Sequence, residues 1–236
     1  MTEQAIIALE HIVLEERQAG DSVPSEAELV ERLGVSRLTV REATRALEAR
    51  GLIEVSKGRR PRVLAPNGSL VGDFFRVAIV RDANALLELT EIRQALEVQA
   101  AELAAGRASR AQIASMQAAI DQMAAGVDDE DTFSAADVQF HESLADATGN
   151  NLLSTLIEQL AGPLRVSRSY SYRGRQSRRE SFDAVVGAHQ TILDRVADQD
   201  PAGAAGAMRR HLRATQRDLK ASLRERVPAP AEEQQP

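Results

Sequence analysis

The sequence predicts a mainly α-helical chain in two parts. A small N-terminal head ends in a basic β-hairpin, and a C-terminal bundle of six or seven helices follows. Three observations carry this reading. From Asn84 onward nearly every stretch has amphipathic helical spacing, with breaks at Gly106, Gly126, Gly149, Gly174 and Asp200-Pro201. Between Pro24 and Arg62, two capped helical segments precede two short strand-like runs. A length of 236 residues suits two domains better than one. The expected divisions are a head over 1–66, a linker with a short helix over 67–83, a helical domain over 84–224 and a polar, Pro-rich disordered tail over 225–236.

In the head, Ile6, Leu9, Ile12 and Val13 lie at helical spacing within 4–18, and Gly20-Asp21 breaks the pattern. Ser25 followed by Glu28 is an S-x-x-E capping box, so the next helix starts near Glu26; Pro24 disfavours helix before it. Leu29, Val30 and Leu33 form its apolar face, and Gly34 ends it. Ser36 caps a third helix that stops at Gly51, with Val40, Ala43, Thr44 and Leu47 inward. Residues 52–55 and 61–64 read as strands joined by a basic turn, Ser56-Lys57-Gly58-Arg59-Arg60. Two helices, a tight turn and a hairpin in this order describe a winged helix-turn-helix, a module that sets its second helix in the DNA major groove.

The charge distribution fits that expectation although the net charge is −6. Residues 35–62 hold eight basic residues against three acids, whereas residues 1–34 hold two against eight. Phosphate binding needs a local basic face, which global charge does not report. Arg37, Arg41 and Arg45 follow at i, i+4 and i+8, in a row away from the apolar face. Such a row can reach phosphates and base edges together. Ser36, Thr39, Lys57 and Gly58 complete the expected DNA-contacting set.

The segment GVSRLTVREATRALEARGLIE, with PSEAEL before it and a basic, Gly-containing wing after it, resembles the GntR family of bacterial transcription regulators over about residues 5–65. The resemblance implies operator contacts by Arg37 and Arg41 and by the wing tip at Lys57 and Gly58. It also implies a dimer, since paired heads read two half-sites. Two positions depart from the family pattern. Ala27 stands where the family commonly has Arg, and Leu38-Thr39 stand where Thr or Ser is commonly followed by Pro or Thr. Ala27 removes a DNA contact implied by the resemblance, so operator sequence or affinity should differ from the family norm.

In the second part, candidate helices span 84–105, 109–125, 131–148, 151–172, 178–199 and 202–224, with a short one around 70–79. Ionisable residues interrupt their apolar faces. Arg93 takes a core position in the stripe Leu86, Leu89, Leu96, Ala100, Leu103; Asp137 and His141 share a side with Phe133, Phe140 and Leu144; His189 lies among Phe182, Val185, Val186, Ile192 and Val196; His211 lies among Met208, Leu212 and Leu219. Buried ionisable groups are costly unless paired or metal-bound. One carboxylate and three imidazoles form a nitrogen and oxygen donor set that suits a divalent metal ion, zinc first, with nickel, manganese or iron as alternatives. A polar centre satisfied by water and Arg93, without metal, is the other reading of the same residues.

This half resembles the FCD ligand-binding domain of the FadR-type branch of the same family over about 84–222. The resemblance rests on Asp137-Val138-Gln139-Phe140-His141, Ala188-His189-Gln190-Thr191-Ile192 and Ala207-Met208-Arg209-Arg210-His211-Leu212. It implies that Asp137, His141, His189 and His211 hold a metal. The E-x-R-x-x-L-E motif, Glu91 to Glu97, implies that Arg93 faces the pocket and pairs with the carboxylate of a small organic acid, a task suited to its planar fork. Ser167 and Arg168 are further candidates for the pocket wall.

The expected function is therefore a dimeric repressor on double-stranded operator DNA, tuned by a small carboxylate effector. A metal-responsive regulator and a metallo-hydrolase fused to a DNA-binding head are the alternatives. The hydrolase lacks a general base in register: Glu142 follows His141 on another aspect of the helix, and there is no H-E-x-x-H. No enzyme is expected. The chain has no cysteine, the first residues lack a basic, apolar signal pattern, and no run of about 18 apolar residues occurs. A cytoplasmic protein without a membrane partner is expected.

Overall fold

The computed structural model describes residues 2–82 and 84–226. The chain divides into two compact units, Met1–Leu70 and Val71–Pro236. The first unit holds α1 (Thr2–Glu15), α2 (Glu26–Leu33), α3 (Arg37–Ala49), β1 (Ile53–Glu54) and β2 (Arg62–Val63). After them come α4 (Ser69–Arg81), α5 (Ala85–Ala105), α6 (Arg110–Ala125), α7 (Glu130–Asp146), α8 (Asn151–Ser177), α9 (Asp183–Ala197) and α10 (Pro201–Arg226).

The head is built as its capping residues dictate. Ser25 accepts from the Glu28 backbone N–H while the Glu28 carboxylate accepts from the Ser25 N–H, closing the reciprocal box. Gly34 closes α2 at φ 64°, a conformation that costs glycine little. Ala5, Leu9, Ile12 and Val13 from α1 meet Leu29, Val40, Ala43 and Leu47, with Ile53 and Val63 closing the core. The strands pair antiparallel, Ile53 with Val63 and Glu54 with Arg62, and are shorter than the sequence pattern suggests. A third segment supports them. The Gly20 and Val23 N–H groups donate to the Val63 and Pro61 carbonyls (both 2.8 Å), and the Val63 N–H donates to Asp21 (2.9 Å). The wing is thus tied to the turn between α1 and α2, a pairing that no local pattern announces. For α1, the helical spacing carries to Glu15 rather than to residue 18.

In the second unit, the core gathers Ala101, Ala104, Met116, Ile120, Phe140, Leu144, Ile192, Val196, Met208 and Leu212 from α5, α6, α7, α9 and α10. With so few aromatics, small alanines on α5 let the helices approach closely. The short helix expected around 70–79 is α4, which covers Ser69–Arg81. Two helix boundaries further along differ from expectation. The break expected at Gly174 does not occur: α8 continues to Ser177, and Gly174 is buried inside it. A Cβ on Gly174 would lie 2.1 Å from Ser222 Oγ of α10, so this glycine serves a close helix approach instead of a helix end. The chain turns at 178–179, between α8 and α9, so α9 begins at Asp183 rather than near 178. Of the expected tail, residues 225 and 226 belong to α10, and 227–236 lie outside the described residues.

Gly174→Val should destabilise the protein by about 1–3 kcal/mol in denaturant unfolding, through overpacking against Ser222. Gly162→Ala, on the same helix with nothing within 4 Å of the added carbon, should instead be neutral or stabilising by up to about 1 kcal/mol.

Candidate functional site

Four helices converge on one buried polar centre. α7 supplies Asp137 and His141, four residues apart and therefore stacked on one face. α9 supplies His189 and α10 supplies His211, while α5 brings Arg93 and Glu97. One donor atom from each of Asp137, His141, His189 and His211 lies within 4.8 Å of the others. All four are buried, as are Arg93 and Glu97. The structure thus brings together the four candidate metal ligands and Arg93.

Hydrogen bonds assign the ring nitrogens of two of the three imidazoles. A carbonyl oxygen can only accept, so His189 Nδ1–H donates to the Val185 carbonyl (2.8 Å), leaving Nε2 to face Asp137 Oδ1 at 3.2 Å. No hydrogen bond links these two atoms, and His189 Nε2 is a buried nitrogen without a hydrogen-bond partner. A buried imidazole nitrogen that has no hydrogen-bond partner and faces a carboxylate oxygen is an arrangement that a cation between the two would satisfy. This orphaned nitrogen fits a bound metal ion. A guanidinium can only donate, so His141 Nε2 accepts from an Arg93 terminal nitrogen (3.2 Å) and Nδ1 carries the proton. Glu97 Oε2 stands 2.7 Å from that Nδ1, though off the axis of its N–H, so the contact is electrostatic rather than a directed hydrogen bond.

Glu97 is the residue that the sequence reading missed. It binds Arg93 through Nε (2.5 Å) and a terminal nitrogen (3.3 Å) while holding His141. Its signal was present, since Arg93 and Glu97 are four residues apart, but the leucines at 96 and 103 drew the apolar stripe past it. Both leucines are only partly buried, and Glu97 takes the inner position. Burial pushes the Glu97 carboxyl up, but Arg93 and His141 overcome this and hold it well below the usual carboxylate range. Burial likewise opposes ionisation of Asp137, and Arg168, which donates to its Oδ2, outweighs that with help from the imidazoles. Burial lowers the His141 pKa against the pull of Glu97, and burial with the neighbouring imidazoles lowers His211 well below its ordinary value. Neutral imidazole is the form that ligates metal.

A cavity of about 60 Å³ opens beside the cluster, lined by Arg93, Asp137, His211, Arg168, Ser171 and Arg175 on its polar side. Phe133, Tyr172 and Phe182, packed edge to face or tilted, form its apolar wall. The Ser171 hydroxyl is buried there without a partner, and Arg175 pairs with Asp218. Arg168, one of the two sequence candidates for the wall, lines this cavity; Ser167 is buried but is not among its lining residues.

In the head, Arg37, Arg41 and Arg45 are exposed along α3, as are Lys57 and Gly58 in the wing, and Ala27 on α2. Arg41 and Arg45 border a groove of about 520 Å³ with Gly58, Arg59 and Arg60. Arg41 donates to Glu26 (2.9 Å), an exposed pair of little energetic weight that a phosphate can replace. Ser36 and Thr39 have local duties: Ser36 Oγ accepts from the Thr39 N–H (3.2 Å) and lies 2.9 Å from its hydroxyl, capping α3. Among the described residues, no helix is long and apolar enough to cross a membrane.

Comparison with known proteins matches residues 3–63 to the model for bacterial regulatory proteins of the gntR family, and residues 88–214 to the FCD domain. The HTH-type transcriptional regulator LutR of Bacillus subtilis is 31% identical over 84% of this chain and 90% of its own length. The galactonate operon transcriptional repressor of Escherichia coli is 27% identical over 93% and 96%. A solved structure of Streptococcus agalactiae GntR superposes with a TM-score of 0.70 at 28% identity, covering 92% of this chain and 99% of that one.

The depressed imidazole pKa values set a sign for metal-free stability. An imidazole that is harder to protonate when folded leaves the unfolded chain binding more protons, so stability is present above the unfolded pKa near 6.5 and is lost as pH falls below it. Urea unfolding of metal-stripped protein should show a lower midpoint at pH 5.5 than at pH 7.5. The carboxylates Glu97 and Asp137, held low, should add their own loss only below about pH 4.

Proposed function

The chain belongs to the GntR family of bacterial regulatory proteins and is a DNA-binding transcription regulator, not an enzyme, and from that premise we propose that it is a repressor governed by a small organic acid bound at a metal-containing pocket. The observation that carries the proposal is the orphaned His189 nitrogen facing Asp137, whose side chain lines a cavity together with Arg93, Arg168 and His211. Asp137, His189 and His211, with His141 once Arg93 releases its Nε2, are the residues that would hold a divalent ion, with zinc the first expectation. When bound, such an ion supplies a Lewis-acid position for a carboxylate oxygen.

The protein's own residues do the rest. Arg93, Arg168 and Ser171 offer N–H and O–H donors to an anionic ligand, and the aromatic wall excludes water from these bonds. Arg93 spends part of its fork on Glu97 and His141, so its role toward an effector is shared with Arg168. A ligand bridging α5, α7, α8 and α10 favours one arrangement of these helices. It changes operator affinity only by its differential affinity for the two arrangements. The cationic donors beside the cluster favour an effector acid over metal as the sole signal.

On the DNA side, Arg37, Arg41 and Arg45 with Ser36 and Thr39 form the proposed major-groove face, and Lys57 and Gly58 the proposed wing contact. Two copies would read two half-sites. A reader of chromosomal operators works in the cytoplasm.

Metal analysis of protein purified without added chelator should find about one divalent ion per chain, and Asp137→Asn or His189→Ala should lose it. Retention of full metal by both variants would remove the assignment. Arg37→Ala should weaken operator binding by about 1–3 kcal/mol in anisotropy titrations while leaving metal content unchanged. Carboxylates titrated against the operator complex should shift affinity in wild type and shift it less in Arg93→Gln and Arg168→Gln. An equal shift in both variants would take the two arginines out of the effector site.

A further inference from the structure

The cavity beside the polar centre is lined at successive levels, one helical turn apart. The innermost level is charged, with Asp137 on α7, Arg168 on α8 and His211 on α10. Helices α7 and α8 run in opposite directions, since Asp137 meets Arg168 while Glu130 meets Arg173. Helices α8 and α10 run in the same direction. Arg168 and His211 both stand at Asp137, and seven residues further along each helix Arg175 meets Asp218. One turn from the charged level therefore lie three hydroxyls. Ser134 is three residues before Asp137, Ser171 three after Arg168, and Thr215 four after His211, and all three line the cavity.

The protein leaves this hydroxyl level underused. Ser171 Oγ is buried without a hydrogen-bond partner, a condition that folded interiors rarely leave standing. Thr215 donates its hydroxyl to the His211 carbonyl (3.2 Å), so its oxygen can still accept. The next turn outward is satisfied by contrast. Arg175 gives two nitrogens to Asp218 (3.0 and 2.6 Å), which neutralises that guanidinium. Tyr172 donates its hydroxyl to the Val127 carbonyl (2.8 Å), and its ring lines the cavity with Phe133 and Phe182.

We propose that Ser171, with Thr215 and Ser134, reads a hydroxyl group on the effector, and that the effector is a slender aliphatic carboxylate bearing that hydroxyl on its fourth carbon. The proposal rests on the reading of this cavity as the effector site. One turn is a rise of about 4.5–6 Å. In an extended chain, four bonds of about 1.5 Å carry a hydroxyl about 5 Å from the carboxylate carbon. A hydroxyl next to the carboxylate falls short of Ser171. A second carboxylate, in place of the hydroxyl, meets no unpaired charge on Arg175. A cavity of about 150 Å³ is the size that admits benzene. This one is about 60 Å³, which suits a chain rather than a ring. The methylenes between the two polar ends then lie against the aromatic wall.

Isothermal titration of the full chain, with its metal content as purified, tests this with 4-hydroxybutyrate, butyrate, succinate and 4-hydroxybenzoate. 4-Hydroxybutyrate should bind tightest, about tenfold tighter than butyrate, because butyrate leaves the Ser171 hydroxyl unpaired. Ser171→Ala should weaken 4-hydroxybutyrate and bring that ratio to about twofold or less, with helical content retained. Thr215→Val should lower the ratio in the same direction. Equal affinity for 4-hydroxybutyrate and butyrate in wild type would overturn the proposal. So would a ratio that survives Ser171→Ala. Tighter binding of succinate or of 4-hydroxybenzoate would overturn the class of effector. Binding of these acids with no hydroxyl preference leaves the effector-site reading standing, whereas binding of none of them removes that reading and this proposal with it.

Discussion

A buried imidazole nitrogen and a carboxylate oxygen 3.2 Å apart, the nitrogen without a hydrogen-bond partner, form the constraint on which the polar centre of the second unit depends. Four helices are held at that point, and each pays for bringing a polar group inside. Around the contact, Arg168 neutralises Asp137 and Glu97 neutralises Arg93, so the shell is paired even though its centre is not. Breaking either outer pair would leave a buried charge uncompensated, which costs far more than the pair contributes. The outer pairs therefore act as a scaffold for a centre whose donor set suits a cation. Under the proposed function, folding, cation binding and ligand response would share the same side chains.

Much of this was legible in the sequence because it follows from periodicity. Asp137 and His141 at four-residue spacing, and His189 and His211 inside apolar stripes, could be placed on inner faces without coordinates. The capping boxes at Ser25 and Ser109 mark helix starts in the same way. What stayed hidden depends on contacts between distant segments. Gly174 looks like a helix terminator until Ser222 is known to press against it. Glu97 looks like a surface acid beside Leu96 until α7 brings His141 to it. The backbone pairing of residues 20–23 with the wing has no side-chain pattern at all, because hydrogen bonds from main-chain groups leave no trace in residue type.

The two units solve the problem of scarce aromatics differently. The head closes around branched aliphatics, with Ile12, Leu29, Leu47 and Ile53 nearly or wholly sequestered. The second unit instead uses alanines at 100, 101, 104 and 105 of α5 to bring neighbouring helices near, and places Phe140 beside the polar centre. Phe140 sits edge-on to both His141 and His189. It limits the rotamers open to both rings, so an aromatic residue here sets the geometry of polar ones.

Ser36 has one oxygen and two claims on it. As the cap of α3 it already accepts the Thr39 N–H, and Thr39 turns its hydroxyl toward the same atom. A genetic screen for loss of repression would recover substitutions at this pair, and a frayed helix end would account for them as well as a lost DNA contact. Phenotype at these two positions therefore says little about recognition. Substitutions at Arg37 and Arg45, which carry no capping duty, would test operator recognition without that ambiguity.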